Sequence, residues 1–232
     1  MKSNIQMLQT VCDGLGDLRK EVVFVGGAVT FLYCENPASE RMRPTDDVDF
    51  VINMCTYGKY TEFISKLRAK GFKDEMSDEQ APLCRLIYNN VKVDVMSMEE
   101  EVLGFTNKWY KSGISQSITR SLPSGTAVNL LSLPYYLASK IEAYKSRGKG
   151  DARFSHDIED CIAIFDSIKK LPFDSESVDE VHQFLKNELS LLMIDDTFID
   201  ALHGFFVVSS TIAGVRISRI LQIIDNYCKM QN

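Results

Sequence analysis

The spacing of apolar residues changes near residue 132, and this change constrains the fold more than any other feature of the chain. Before it, short β-branched runs recur between turn residues: "EVVFVGG", "DVDFVIN", "CRLIYNN", "VKVDVMS" and "TAVNLL". These read as strands, because alternate side chains of a strand share a face and branched residues pack well on a pleated surface. Asn89-Asn90, between the third and fourth runs, signals a hairpin less strongly than Asn-Gly would. Helical spacing is interspersed. Ile5, Leu8, Val11, Leu15 and Leu18 mark a helix over 4–19, and Phe63, Ile64 and Leu67 mark another, stopped at Gly71. "AVTFLYC" fits a helix that begins at the Gly26-Gly27 turn.

From Pro134 onward strand signals fade. "PYYLASKIEAYKSRG" opens on proline and closes at Gly148, as helices often do. "SHDIEDCIAIFDSIKK" puts Ile158, Cys161, Ile162, Phe165 and Ile168 on one stripe, with Ser155 placed to cap it. Segments 176–194, 195–206 and 210–229 also read as helices. The expectation is therefore an α+β chain: a mixed β-sheet with flanking helices over 1–132, then a helical C-terminal domain over 133–232.

Composition excludes several classes. At 232 residues and 45% hydrophobic, the chain can bury a sizeable core. No apolar run approaches the roughly 20 residues of a membrane span, and "MKSNIQMLQT" lacks the apolar centre of an export signal. A cytoplasmic protein without membrane partners is expected. Cys12, Cys34, Cys55, Cys84, Cys161 and Cys228 lie far apart with no CxxC pair, which favours reduced, buried thiols over disulfides or zinc. His156, His182 and His203 show no metal-ligand spacing. A net charge of −6 argues against nucleic-acid binding through bulk charge. Locally, however, Lys140, Lys145, Arg147, Lys149 and Arg153 face only Glu142 and Asp151, a stretch that is either a solvated helix face or a phosphate site.

The chemistry concentrates in "RMRPTDDVDFVI". Asp47 and Asp49 point to one face of their strand while Val48 and Phe50 point to the other. In "VKVDVMS", Val91, Val93 and Val95 share a face, and Asp94 lies on the opposite one with Lys92 and Met96. If the two strands are neighbours, three carboxylates converge, and such a cluster is unfavourable unless a cation sits among them. Magnesium, hard and oxygen-loving, suits the donors. The alternative is a solvated turn in which Asp46 and Asp47 cap the strand and Asp94 is unrelated. "VFVGGAV" favours the cation: a Gly-Gly turn between strand and helix lets backbone N–H groups approach a phosphate.

In this order, "VGGAV…RPTDDVDFVI…VDVM" resembles the DNA polymerase β-type nucleotidyltransferase superfamily. It is similar in particular to the AbiEii/AbiGii group, the toxin components of abortive-infection and type IV toxin–antitoxin systems. Arg43 and Thr45 before the DxD, "VLGFTNKWY", and "LASKIEAYKSRGKGDARFSHDIEDCIAIFD" extend the likeness over roughly 22–166. The resemblance implies a nucleotidyltransferase fold that moves a nucleoside monophosphate from an NTP to an acceptor hydroxyl, with two Mg²⁺ ions. It implies that Asp47, Asp49 and Asp94 hold the metal, that Gly26, Gly27 and Thr45 help bind the triphosphate, and that Lys140 and Arg147 neutralise phosphate. Asp157 and Asp160 join the catalytic set.

The implied acceptor is an RNA, the 3′ end of tRNA, with a cognate antitoxin protein as partner. Protein and small-molecule acceptors remain open on the same core, as does a nucleotide- or RNA-binding module without turnover. Ala28 departs from the superfamily, which often has serine or threonine directly after the two glycines; Thr30 lies two residues further on. Plainer roles stand beside the implied ones. Lys140 and Arg147 can pair with surface acids, Asp157 and Glu159 suit a helix first turn by charge alone, His156 suits a cap, and Trp109 and Tyr110 suit a core.

Overall fold

The structure is a computed structural model that describes residues 2–35, 43–53, 56–76, 82–147, 150–172, 179–206 and 208–230. Cys55, Gly148, Lys149 and the first residues of the expected 176–194 helix lie outside them. The chain divides into two compact units, one of Met1–Leu32 with Pro44–Ser132, the other of Tyr33–Arg43 with Leu133–Asn232.

The first unit opens with helix α1 (Asn4–Leu15), started by a capping box in which Ser3 and Gln6 satisfy each other's backbone N–H groups. Met7, Leu8, Val11 and Leu15 are its buried stripe. The expected helix over 4–19 stops short at Gly16, whose φ of +55° an L side chain rarely adopts, and a 3-10 segment takes over to Glu21. Among the described residues seven strands follow: β1 (Val22–Val25), β2 (Asp47–Ile52), β3 (Lys73–Asp74), β4 (Arg85–Tyr88), β5 (Val91–Ser97), β6 (Ile118–Ser121) and β7 (Ala127–Leu130). They form one mixed sheet in the order β3-β4-β5-β2-β1-β7-β6. β2 runs parallel to β5 and β1 parallel to β7, while the other neighbours are antiparallel. Helices α2 (Tyr57–Ala69), α3 (Glu100–Leu103) and α4 (Tyr110–Ser115) occupy the connections. Trp109 and the strand residues Phe24, Val48, Phe50, Val93 and Val95 are in the core.

The Asn89-Asn90 hairpin is formed, and both asparagines take positive φ, 46° and 61°, which suits the tight two-residue turn between β4 and β5. The helix expected at the Gly26-Gly27 turn is present over Gly27–Tyr33 and is of 3-10 type. Branched Val29 and Thr30 and aromatic Phe31 are poor α-formers, and the Thr30 hydroxyl donates to the Gly27 carbonyl three residues back.

The second unit is helical: α5 (Leu133–Arg147), α6 (His156–Ser167), α7 (Asp179–Leu192), α8 (Asp196–Phe205) and α9 (Ser210–Lys229). Ser155 caps α6 by accepting from the N–H of Ile158. Ile158, Cys161, Ile162 and Phe165 are buried, as the stripe requires. The Tyr33 ring stacks on Tyr136 with centroids 4.3 Å apart. Buried Asp166 binds the guanidinium groups of both Arg216 and Arg219, tying α6 to α9. No helix among the described residues is long and apolar enough to cross a membrane.

Candidate metal centre and a buried ion network

Alternation along β2 sends Val48 and Phe50 into the core, so Asp47 and Asp49 must share the other face. The parallel pairing with β5 sets Asp49 opposite Asp94. One carboxylate oxygen from each of Asp47, Asp49 and Asp94 lies within 4.8 Å of the others. The convergence expected from the two strands is therefore present. Thr45 serves it from the side: its hydroxyl donates to Oδ1 of Asp47 at 2.9 Å, and its backbone N–H donates to Asn4. Gly26 closes the site from β1, since Val25 pairs with Asp49 and a Cβ on Gly26 would stand 1.9 Å from Asp49 Oδ2.

A positive group is already at the cluster. Arg85 Nε and Nη2 donate to the two oxygens of Asp94, each at 2.7 Å, and Nη2 also reaches Asp47 Oδ2 at 3.2 Å. The bidentate bond to Asp94 raises the guanidinium pKa above its ordinary value despite opposition from burial, so the charge is permanent. Sequence reading did not single out Arg85. The signal was there: counting back from a two-residue turn at Asn89-Asn90 pairs Tyr88 with Val91 and hence Arg85 with Asp94. Burial and the Asp94 charge push the thiol of Cys84, next in sequence, up to about 12, which disfavours its thiolate.

The donor set could hold a metal ion. All three groups are hard carboxylates drawn in around one spot, and a cationic side chain among them marks where positive charge is stabilised. Asp47, Asp49 and Asp94 are the residues that could hold it; the number and kind of ions do not follow from the geometry.

In the second unit, Lys140 projects from α5 to Asp160 Oδ2 at 2.6 Å and Asp157 Oδ1 at 3.1 Å, both on the first turns of α6. The Lys140 side chain is 8% exposed. Burial alone would favour the neutral amine; the Tyr136 oxygen and the Asp160 and Asp157 carboxylates outweigh it and hold its pKa well above the usual lysine value. Arg147 donates to Asp157 from the surface, at 3.1 Å and 72% exposed, and Arg43 approaches Asp160 at 3.5 Å. His156 is exposed at the start of α6, 3.5 Å from Glu159. Lys145 and Arg153, from the basic stretch, pair with Glu188 and Asp151.

A cavity of about 330 Å³ lies at the far ends of β1 and β2 from the carboxylates, lined by Lys20, Val22, Val23, Asn53, Ser117 and Asn129. No protein-family model matches the chain, and no curated protein matches it.

Proposed function

We propose that the protein is a Mg²⁺-dependent nucleotidyltransferase that transfers a nucleoside monophosphate from an NTP to an acceptor hydroxyl, with an RNA, the tRNA 3′ end, as acceptor and growth arrest as outcome. The observation that carries this reading is the convergence of Asp47, Asp49 and Asp94 from two adjacent strands. Three carboxylates against one core strand repel one another, and the single guanidinium of Arg85 offsets only part of that charge. Support also comes from the ordered motifs "VGGAV", "RPTDDVDFVI" and "VDVM", whose resemblance is to AbiEii-type toxins.

In this reading Asp47, Asp49 and Asp94 would hold Mg²⁺, two ions in the full complex. Bound there, the metal supplies charge neutralisation for the triphosphate and acidity for the acceptor hydroxyl. The acceptor oxygen bonds to the α-phosphorus as the bridge to the β-phosphate breaks, releasing pyrophosphate; the hydroxyl proton leaves toward Asp94. Thr45 fixes the Asp47 rotamer through its hydrogen bond. Gly26 and Gly27 offer backbone to the triphosphate, with Gly26 leaving room for Asp49. Residues 1–132 are the nucleotidyltransferase core and 133–232 a helical domain. Lys140, Arg147, Asp157 and Asp160 keep the catalytic and phosphate-binding roles that the resemblance implies, and a cognate antitoxin is the expected partner.

The test is to incubate the full chain with each α-labelled NTP, Mg²⁺ and total RNA. Mg²⁺-dependent label on RNA, lost in Asp47→Ala, is expected; no transfer by wild type with any of the four NTPs would retire the proposal. A second reading, a nucleotide- or RNA-binding module without turnover, draws on buried Ala28 and on the Thr30 hydroxyl, which is turned onto Gly27. Calorimetry showing Mg-NTP binding without labelled product would select it.

A further inference from the structure

The carboxylates of the triad are not waiting for a cation; one is built in. Asp94 accepts from Arg85 through both oxygens, and Asp47 accepts from Thr45 through Oδ1 and from Arg85 through Oδ2. The guanidinium is held to its place by the backbone, because Arg85 stands directly opposite Asp94 in the β4–β5 hairpin, and paired residues in an antiparallel ladder project to the same face. It is also nearly shut from solvent, at 14% exposure. Two consequences follow from charge and size. With Arg85 counted, the cluster carries a net charge of −2 rather than −3. One oxygen of each carboxylate lies within 4.8 Å of the others, close enough for a small ion with bonds of about 2.1 Å to engage all three, in space that the guanidinium shares.

We propose that Arg85 is a resident counter-cation that competes with the divalent ion for Asp47 and Asp94, holding the triad together before metal arrives and setting the metal concentration at which the site fills. This rests on the reading of the triad as a metal centre. It goes beyond that reading in giving the protein a metal-free state with its own cation, and in making Arg85 a positioning residue that tunes affinity without touching substrate. The closest contact, the pair of 2.7 Å bonds to Asp94, persists in part because carboxylate oxygens have spare lone pairs; the 3.2 Å reach to Asp47 is the one given up.

The experiment measures Mn²⁺ uptake by the full chain from the free-ion electron paramagnetic resonance signal, with thermal melts in EDTA and in excess Mn²⁺. Wild type, Arg85→Met, Arg85→Lys and Asp94→Asn are compared. Arg85→Met is expected to bind Mn²⁺ about tenfold tighter or more, since a positive charge at contact distance has gone. It should also melt lower than wild type in EDTA and gain more from Mn²⁺. Arg85→Lys, which keeps the charge but loses the two-point grip, should fall between them and carries the test if Arg85→Met does not fold. Equal or weaker Mn²⁺ binding by the folded Arg85 variants, with wild type binding normally, overturns the counter-cation. If no form of the chain takes up Mn²⁺, the metal centre itself fails and this proposal falls with it.

Discussion

Gly26 and Asp49 are in such close register that a single added methyl cannot fit between them: a Cβ on Gly26 would stand 1.9 Å from Asp49 Oδ2, on a backbone with φ of +74°. Gly26→Ala is therefore expected to do two things at once. It should destabilise the chain by about 1–3 kcal/mol in urea denaturation, and it should displace the carboxylate and weaken Mn²⁺ binding at least several-fold. Gly104→Ala is the control, because φ is +78° there but nothing lies within 4 Å of the added carbon. That variant should lose about 1–2 kcal/mol with metal affinity unchanged.

Lys140, almost fully buried, neutralises two carboxylates. Lys140→Met leaves Asp157 and Asp160 facing each other, with Arg147 and Arg43 as their remaining partners. A loss of about 3–5 kcal/mol is expected, as for other buried pairs broken on one side. Adding Asp160→Asn to Lys140→Met should recover part of it. Equilibrium urea melts followed by circular dichroism check both; a double variant no more stable than Lys140→Met would show that charge is not the cause.

Alkaline stability should depend on Cys12. Burial raises its thiol from 9.0 to about 12. Below pH 9 both the folded and unfolded thiols keep the proton and the contribution is whole. Above pH 9 the unfolded thiol ionises first, so stability is lost as pH rises toward about 12, at up to about 1.4 kcal/mol per pH unit. Cys12→Ala removes that slope. Unfolding free energies at pH 7, 9 and 10 should thus show the wild type losing more than the variant between pH 9 and 10, and equal losses would count against the buried thiol as the cause.

The Asn89-Asn90 turn admits improvement. At Asn90, with φ of 61°, glycine carries no side-chain penalty and completes the most favoured hairpin pair. Asn90→Gly should raise the urea midpoint at constant slope, because relief of the left-handed backbone outweighs the extra chain entropy that glycine gives the unfolded state.

What the sequence made legible follows physical size and period. β2 and β5 were readable because buried valines and phenylalanine alternate with aspartates, and that same alternation aligned the triad. α6 was readable from its stripe and its serine cap. β3 and β6 were not: one is a two-residue Lys73–Asp74 pair, the other exposes Thr119, Arg120 and Ser121, so neither carries an apolar signal. α3 and α4, four and six residues long, are too short to display a period. Arg85 escaped for a different reason. Its importance comes from cross-strand register, which a residue-by-residue reading passes over even when the turn that fixes it has been recognised.

The strands that escaped notice are the two rims of the sheet, and their poverty has a use. A long apolar rim would invite a neighbouring molecule to extend the ladder. Here one border is two charged residues long and the other is polar with an arginine in it. Strand addition along those borders has little to grip, which favours colloidal stability at the high protein concentrations that ion titrations require.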